Sequence, residues 1–239
     1  MRRFGTEYGG FYYPSELTGL SSSSVLYCVG AGEDVSHDVE VAHKTGAAVH
    51  IFDPTPRAIE HVALVQRVLE TNAPIAPDRR YGGGDIAYWP RILAHRIPPS
   101  NIRFHPYGLF TSDNPAMRFY KPTNPDYVSC SLVEGMKGDS FLEIPVKSLR
   151  TIMSELGHTS IDLLKIDIEG CECDVLDAML DDGVHPRYLA VDFDLGWTGE
   201  RIQNRKRCNE VIERLLHAGY TLLKHTGADF SFMFVGATV

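Results

Sequence analysis

Two pairs of carboxylates, each spaced two residues apart, carry the clearest chemistry in this 239-residue chain: Asp167 and Glu169 in LLKIDIEG, and Asp192 and Asp194 in VDFDLGW. In strand geometry, residues two apart face the same side. If the two segments are neighbouring parallel strands, four acids meet at one edge of a sheet, the edge where open α/β sheets bind ligands. Four carboxylates in one crevice repel, which raises some of their pKa values. One acid then serves as a general base, or a hard cation such as Mg²⁺ or Ca²⁺ on Asp167, Asp192 and Asp194 relieves the repulsion. No metal is expected as the first choice. Lys165 alternates with the acids' neighbours and offers a third answer, an ion pair.

The surrounding pattern supplies the elements that hold these acids. Residues 161–166 are mostly apolar, as expected of a central strand buried on both faces. Residues 188–195 read as the next strand, with a helix over 172–180 between them. Upstream, 25–29 predicts a first strand and 35–45 a helix that Asp34 can cap and Gly46 ends. Residues 49–52 predict a second strand, 58–70 a helix with Ile59, Val62, Val65 and Leu69 on one side, and 102–105 a third strand. A helix near 148–156, a charged amphipathic helix over 200–217 and a closing strand pair around residues 227–229 complete the pattern. Alternating strands and helices with a terminal hairpin imply a mostly parallel sheet with an antiparallel edge. Residues 1–24 are aromatic and glycine-rich and read as an arm or lid before a single domain over 25–239. Irregular insertions are expected near 71–100 and 110–140, with a small hairpin between MRFYK and YVSCSLV inside 116–133.

LYCVGAGED, residues 26–34, runs from a strand into a glycine turn. Gly30-Ala-Gly32 is half a dinucleotide fingerprint, since the third glycine of G-x-G-x-x-G would fall at Val35. Asp53 closes the second strand, where an acid accepts hydrogen bonds from ribose hydroxyls. Both features suit any adenosine cofactor, NAD and S-adenosylmethionine (SAM) alike. Glu33 and Asp34 favour the second: they oppose a pyrophosphate and tolerate an ammonium and a sulfonium.

The net charge of −8 and pI near 5.7 argue against nucleic acid as a partner. Five cysteines without framework spacing argue against a secreted disulfide scaffold. No segment reads as a signal peptide or membrane span, so a soluble, cytoplasmic protein is expected. Arg201, Arg205, Lys206 and Arg207 sit among Glu200, Glu210 and Glu213 and read as a solvated helix face.

VGAGED with HIFDPTPR, and then IDLLKIDIEGCECDVL, resemble the FkbM-type family of SAM-dependent methyltransferases, over about residues 24–236. The resemblance implies a Rossmann-like class I methyltransferase fold, α/β, with a seven-stranded sheet. It also implies methyl transfer to oxygen, commonly a hydroxyl of a sugar, glycan or secondary metabolite. A protein acceptor is the nearest rival, and a nicotinamide-dependent oxidoreductase a more distant one. Carried onto this chain, Gly30 and Gly32 flank the methionine part of SAM, Asp53 holds the ribose, and Tyr107, Gly108 and Leu109 lie near the adenine. Asp167 and Glu169 stand where methyl group and acceptor meet. Cys28 departs from the pattern: many class I methyltransferases have an acid there, and Glu33 or a water is the expected substitute. Asp192, Asp194 and Trp197 are candidates for the acceptor, Trp197 by stacking on a sugar ring. Tyr8, Tyr12 and Tyr13 are candidates to close over the site. His105 and His225 are the histidines placed to act as a base.

Overall fold

A computed structural model describes residues 1–73, 75–76, 78–124, 130–132, 138–193 and 201–236, without the side chains of 201–203. Twelve strands and six α-helices are present among them. The main sheet is built from β3 (Leu26–Val29), β4 (Val49–Phe52), β5 (Ile102–His105), β9 (Leu163–Ile166), β10 (Tyr188–Asp192), β11 (Tyr220–Thr226) and β12 (Asp229–Phe234), in the order β11-β12-β10-β9-β3-β4-β5. The five strands from β10 to β5 are parallel; β12 runs antiparallel to β10, and β11 antiparallel to β12. This is the sheet that the family resemblance implies, parallel in the middle with a reversed pair at one edge.

The sheet separates two apolar layers. Leu26, Cys28, Val49, Ile51, Leu163 and Ala190 point to the side of α1 (Ser36–Thr45), α2 (Pro56–Thr71) and α3 (Tyr88–Ala94). Their neighbours Tyr27, Val29, Phe52, Leu164, Ile166 and Val191 point to α4 (Leu149–Leu156), α5 (Glu172–Asp181) and α6 (Arg201–His217). The period-two alternation with apolar residues on both faces explains why the strand sequences show continuous apolar runs.

α1 starts at Ser36, with Val35 as its N-cap; Asp34 still serves the first turn, its Oδ1 accepting from the Ser36 amide at 2.8 Å. α2 begins before the expected 58, because Thr55 caps it and Pro56 fits a first helical position that needs no amide donor.

Residues 1–24, expected as an arm or lid, contribute core. β1 (Arg2–Phe4) and β2 (Phe11–Tyr13) form a hairpin, and Phe4, Phe11, Tyr13 and Leu17 are buried in the α1 layer. Within 71–100, two 3₁₀ turns and α3 are ordered, and Tyr81, Tyr88, Trp89 and Ile92 are buried. A second small sheet joins β6 (Gly108–Leu109), β8 (Phe141–Lys147) and β7 (Asn114–Tyr120). The antiparallel partner of MRFYK is therefore 141–147. The YVSCSLV segment touches it among the described residues through one bridge, Ser131 to Tyr120. Apolar alternation in 141–147, with Ile144 and Val146 buried, outweighs the shorter connection.

Candidate active site

A crevice of about 810 Å³, counting its open mouth, lies beyond the carboxyl ends of β3, β4 and β9. Its floor is the turn at Gly30–Gly32 with Asp53 and Asp167; one wall is Gly108, Leu109, Ile144 and Val146; Tyr8 and Gly9 of the N-terminal hairpin form part of the rim.

The glycine turn is an anion hole that is already filled. The amides of Ala31 and Gly32 donate to Asp53 Oδ2 at 2.9 and 3.0 Å. Asp53 Oδ1 accepts from the amide and hydroxyl of Thr55 at 2.8 and 2.6 Å. A carboxylate has about four acceptor sites, so the four donors satisfy it. The start of α1 is engaged as well: Val35 donates to the Tyr88 hydroxyl at 3.3 Å, Ser36 to Asp34, and the Thr6 hydroxyl also donates to Asp34. A diphosphate would find these amides taken and a buried carboxylate among them.

Glu33 lines the crevice, but its charge is answered. Arg57, in the first turn of α2, grips both its oxygens, Nε at 3.0 Å and Nη2 at 2.7 Å. The attraction expected of Glu33 for a cationic ligand is therefore largely neutralised, and that part falls to the carboxylates of the floor.

β9 ends at Ile166, so Asp167 and Glu169 are presented by a turn and not by strand alternation; both still line the crevice. Asp167 is anchored by its amide to the Val29 carbonyl at 3.1 Å, which carries it across to the first strand. Its side chain is 34% exposed. Burial raises its pKa, and Glu169 and Asp53 add to the rise against the opposing pull of Lys165. Lys165, 2% exposed, donates to the Gly30 carbonyl and stands 3.6 Å from Asp167 Oδ2. Burial pulls its ammonium downward, but Asp167, Asp38, Cys28 and Asp34 together outweigh this and hold it charged.

Glu169 adopts a left-handed backbone, φ +60°. Ser131 Oγ donates to its carbonyl at 2.5 Å, and Glu172 Oε1 accepts from the amides of Ile168 and Gly170 at 3.3 and 2.9 Å, closing the turn around it. Non-glycine residues pay about 1–2 kcal/mol in this region, and such strain concentrates at functional sites. Glu169→Gly will therefore leave the chain equally stable or up to about 1 kcal/mol more stable in chemical denaturation.

Asp192 lies beside this group, since Val191 pairs with Ile166, yet it is not part of the crevice wall. It faces Asp229 on β12, and its Oδ1 is buried without a partner among the described residues. Burial, then the charges of Asp167, Asp229, Glu172 and Glu169, push its carboxyl up to about 9. Burial also pushes Asp229 up to about 6, against Arg3. The unfolded chain releases the Asp192 proton near pH 4 while the folded chain keeps it to about 9, so folding binds a proton throughout that window. Stability must fall as pH rises across it. Asp192→Asn should flatten the decline, melting about 2–5 °C above the parent at pH 8.5 and close to it at pH 5 in a thermal scan.

Gly30, Gly32, Asp53, Gly108 and Leu109 all reach the crevice. Tyr107 does not: its ring packs on Phe52 and His105, with Lys147 Nζ 4.5 Å from its centroid. Asp194 and Trp197 lie outside the described residues. Tyr8 sits at the rim, 60% exposed, whereas Tyr13 is buried and bonds His37 at 3.1 Å. His105 contacts His50 at 3.0 Å, and His225 contacts the Gly227 carbonyl at 2.9 Å; neither lines the crevice. Arg207, expected on a solvated helix face, pairs with Asp174 and Asp177 of α5, and Arg214 further along the helix pairs with Asp177 and Asp181.

Thr55, Phe119, Ile144 and Val146 also line the crevice and escaped the sequence reading. Thr55 carried a signal, a threonine two residues beyond Asp53 and just before a helical run. Below the turn, Cys28, His37 and Asp38 are buried together, with metal-ligand atoms in reach of one another. The Lys165 ammonium already supplies positive charge to this group and opposes a second cation.

The match to known sequences follows the same stretch of chain. A model of the methyltransferase FkbM domain matches residues 27–222. No curated protein matches. Among solved structures, the Methanococcus jannaschii fibrillarin pre-rRNA processing protein is 11% identical over 94% of this chain and 70% of its own, with a TM-score of 0.42. That likeness is too distant to bear on the chemistry. The domain match takes in the strand of the glycine turn, Asp53 and the Asp167–Glu169 turn, and the protein belongs to the FkbM methyltransferase family.

Proposed function

We propose that the protein is a SAM-dependent O-methyltransferase whose acceptor is a hydroxyl of a sugar or glycan. The observation that carries the cofactor assignment is the Asp53 carboxylate seated on the Ala31 and Gly32 amides. It closes the turn to phosphate and leaves an acidic floor suited to a cationic ligand. The residues fit SAM in the same way: Gly30 and Gly32 for the methionine part, Gly108 and Leu109 with the apolar wall of Ile144 and Val146 for the adenine. Asp53 takes the ribose by accepting from its hydroxyls as the Thr55 hydroxyl gives way.

When bound, SAM supplies an electrophilic methyl group on a positively charged sulfur, with a neutral thioether as leaving group. The rest is work for this chain. An alcohol is a weak nucleophile at neutral pH and needs a base within hydrogen-bond reach. Asp167 fits, because its raised pKa brings it closer to that of the working solution than an ordinary aspartate. Glu169 orients the hydroxyl from the same turn. Lys165 holds Asp167 and the glycine turn in register, and Tyr8 limits access of water from the rim. Asp194 and Trp197 are proposed to serve the acceptor; Asp192 stands next to the Asp167 turn without lining the crevice.

The test is incubation of candidate glycans with enzyme and methyl-labelled SAM, read by mass spectrometry, beside titrations with SAM, S-adenosylhomocysteine and NADH. Labelled glycan with micromolar binding of both adenosyl ligands is the expected result. NADH binding with no response to SAM would reject the cofactor assignment, and label found on polypeptide would replace the acceptor.

A further inference from the structure

Two thiols outside the crevice meet across a helix interface. Cys173 lies in the first turn of α5 and Cys208 in α6, and their sulfurs are 3.5 Å apart. Both are free; Cys208 is 8% exposed and Cys173 half-buried. We propose that Cys173 and Cys208 form a reversible redox site, closed to a disulfide by a peroxide, which staples α5 to α6 and restrains the Asp167–Glu169 turn.

The geometry needs little movement. A disulfide bond measures about 2.05 Å, so the sulfurs close by roughly 1.5 Å, within reach of side-chain rotation and a slight helix adjustment. The electrostatics prepare a nucleophile. The Cys173 thiol donates to the Cys208 sulfur and draws the Cys208 pKa down, with help from the guanidinium of Arg207. Arg207 is held there by Asp174 and Asp177 at the α5 surface. A cation beside a thiol favours the thiolate, the reactive form. Cys171 lacks this arrangement: it is buried, and burial pushes it up to about 12.

The chemistry balances with one peroxide. The Cys208 thiolate attacks a peroxide oxygen, the O–O bond breaks, and sulfenic acid and hydroxide result, the hydroxide leaving as water. The Cys173 sulfur then displaces hydroxide from the sulfenic sulfur, giving the disulfide and a second water. Two thiols lose two electrons and two protons; the peroxide gains them. A dithiol reductant reverses the step by exchange.

On the transferase reading, the position of Cys173 links the staple to the crevice. Cys173 follows Glu172, whose carboxylate accepts from the Ile168 and Gly170 amides and so shapes the turn carrying Asp167 and Glu169. Fixing α5 at residue 173 fixes that carboxylate.

The experiment uses the full chain, reduced, desalted and treated with a few equivalents of hydrogen peroxide. Non-reducing peptide mapping should find the Cys173 and Cys208 peptides joined and lighter by two hydrogens, with the other three of the five thiols still open to alkylation after unfolding. Melting should rise by about 5–10 °C, methyl transfer should slow several-fold, and dithiothreitol should restore both. Cys208→Ser should show none of these. Thiols that remain alkylatable, or overoxidise without cross-linking, would overturn the site. A cross-link that leaves transfer unchanged would overturn the restraint on the turn. Mass and melting need no acceptor, so a failure of the transferase reading does not disturb them.

Discussion

Asp167→Asn will reduce methyl transfer by about 10²–10⁴-fold and weaken SAM binding far less, since Asp53 and Glu169 keep the crevice acidic. The amide is nearly isosteric and keeps the backbone anchor to Val29, so the crevice retains its shape. What is lost is the capacity to take a proton. Single-turnover rates with labelled SAM read the first quantity, and calorimetry the second. The assignment of Asp167 as the base does not survive a variant that transfers at the parental rate. EDTA separates the base from a cation bound by the same acids: the parental rate should not change. Some folding stability should also go, because Lys165 loses a charged partner while its ammonium stays buried.

Gly30→Ala is expected to be the most destructive single methyl group in the chain. Gly30 has φ +82°, and a Cβ built on it would stand 1.8 Å from the Asp167 carbonyl oxygen. That oxygen belongs to backbone held between β9 and α5 and cannot swing aside as a side chain would. The carbonyl of Gly30 is also the acceptor for Lys165. Opening the turn therefore breaks the lysine contact and the strand-to-strand crossing together. A loss of at least about 3 kcal/mol follows, a fall in melting temperature of about 6–12 °C, with SAM binding abolished. Gly183→Ala is the control. Gly183 also has positive φ, +68°, but nothing lies within 4 Å of its Cβ position. It should lose about 1–2 kcal/mol from backbone conformation alone. The difference between the two, from denaturant midpoints, isolates the steric clash.

How far the site was legible depends on whether its parts are local in sequence. The glycine turn and Asp53 were, because a strand, a turn and a helix announce themselves in consecutive residues. The Asp167–Glu169 turn was legible because Leu163, Leu164 and Ile166 read as a buried strand interrupted only by Lys165, so the acids that follow mark its end. The juxtaposition of Asp192 with Asp167 followed from parallel pairing. What stayed hidden arrives by pairing between distant segments. Asp229 reaches Asp192 on an antiparallel return strand, and no spacing rule gives that register. Arg57 neutralises Glu33 from 24 residues away. The apolar wall comes from β8, whose partner β7 is separated from it by a long connection, so no turn chemistry advertised the pair. The aromatic residues at the start of the chain looked like an arm because glycines surround them; their burial depends on α1 and on strands at the other end of the sequence.

That last arrangement bears on biosynthesis. β2 packs against β11 and β12, and Arg3 reaches Asp229 at 3.9 Å. Residues 2–13 thus find their resting place only when residues 220–234 have emerged from the ribosome. Until then Phe4, Phe11 and Tyr13 have only the α1 side of their core to enter and stay partly exposed to chaperones or to one another. Since Tyr8 and Gly9 sit between those aromatics and form part of the rim, the nascent protein completes that rim only once residues 220–234 are made, and a ribosome-stalled chain lacking residues 220–236 should be open to proteases in its β1–β2 hairpin.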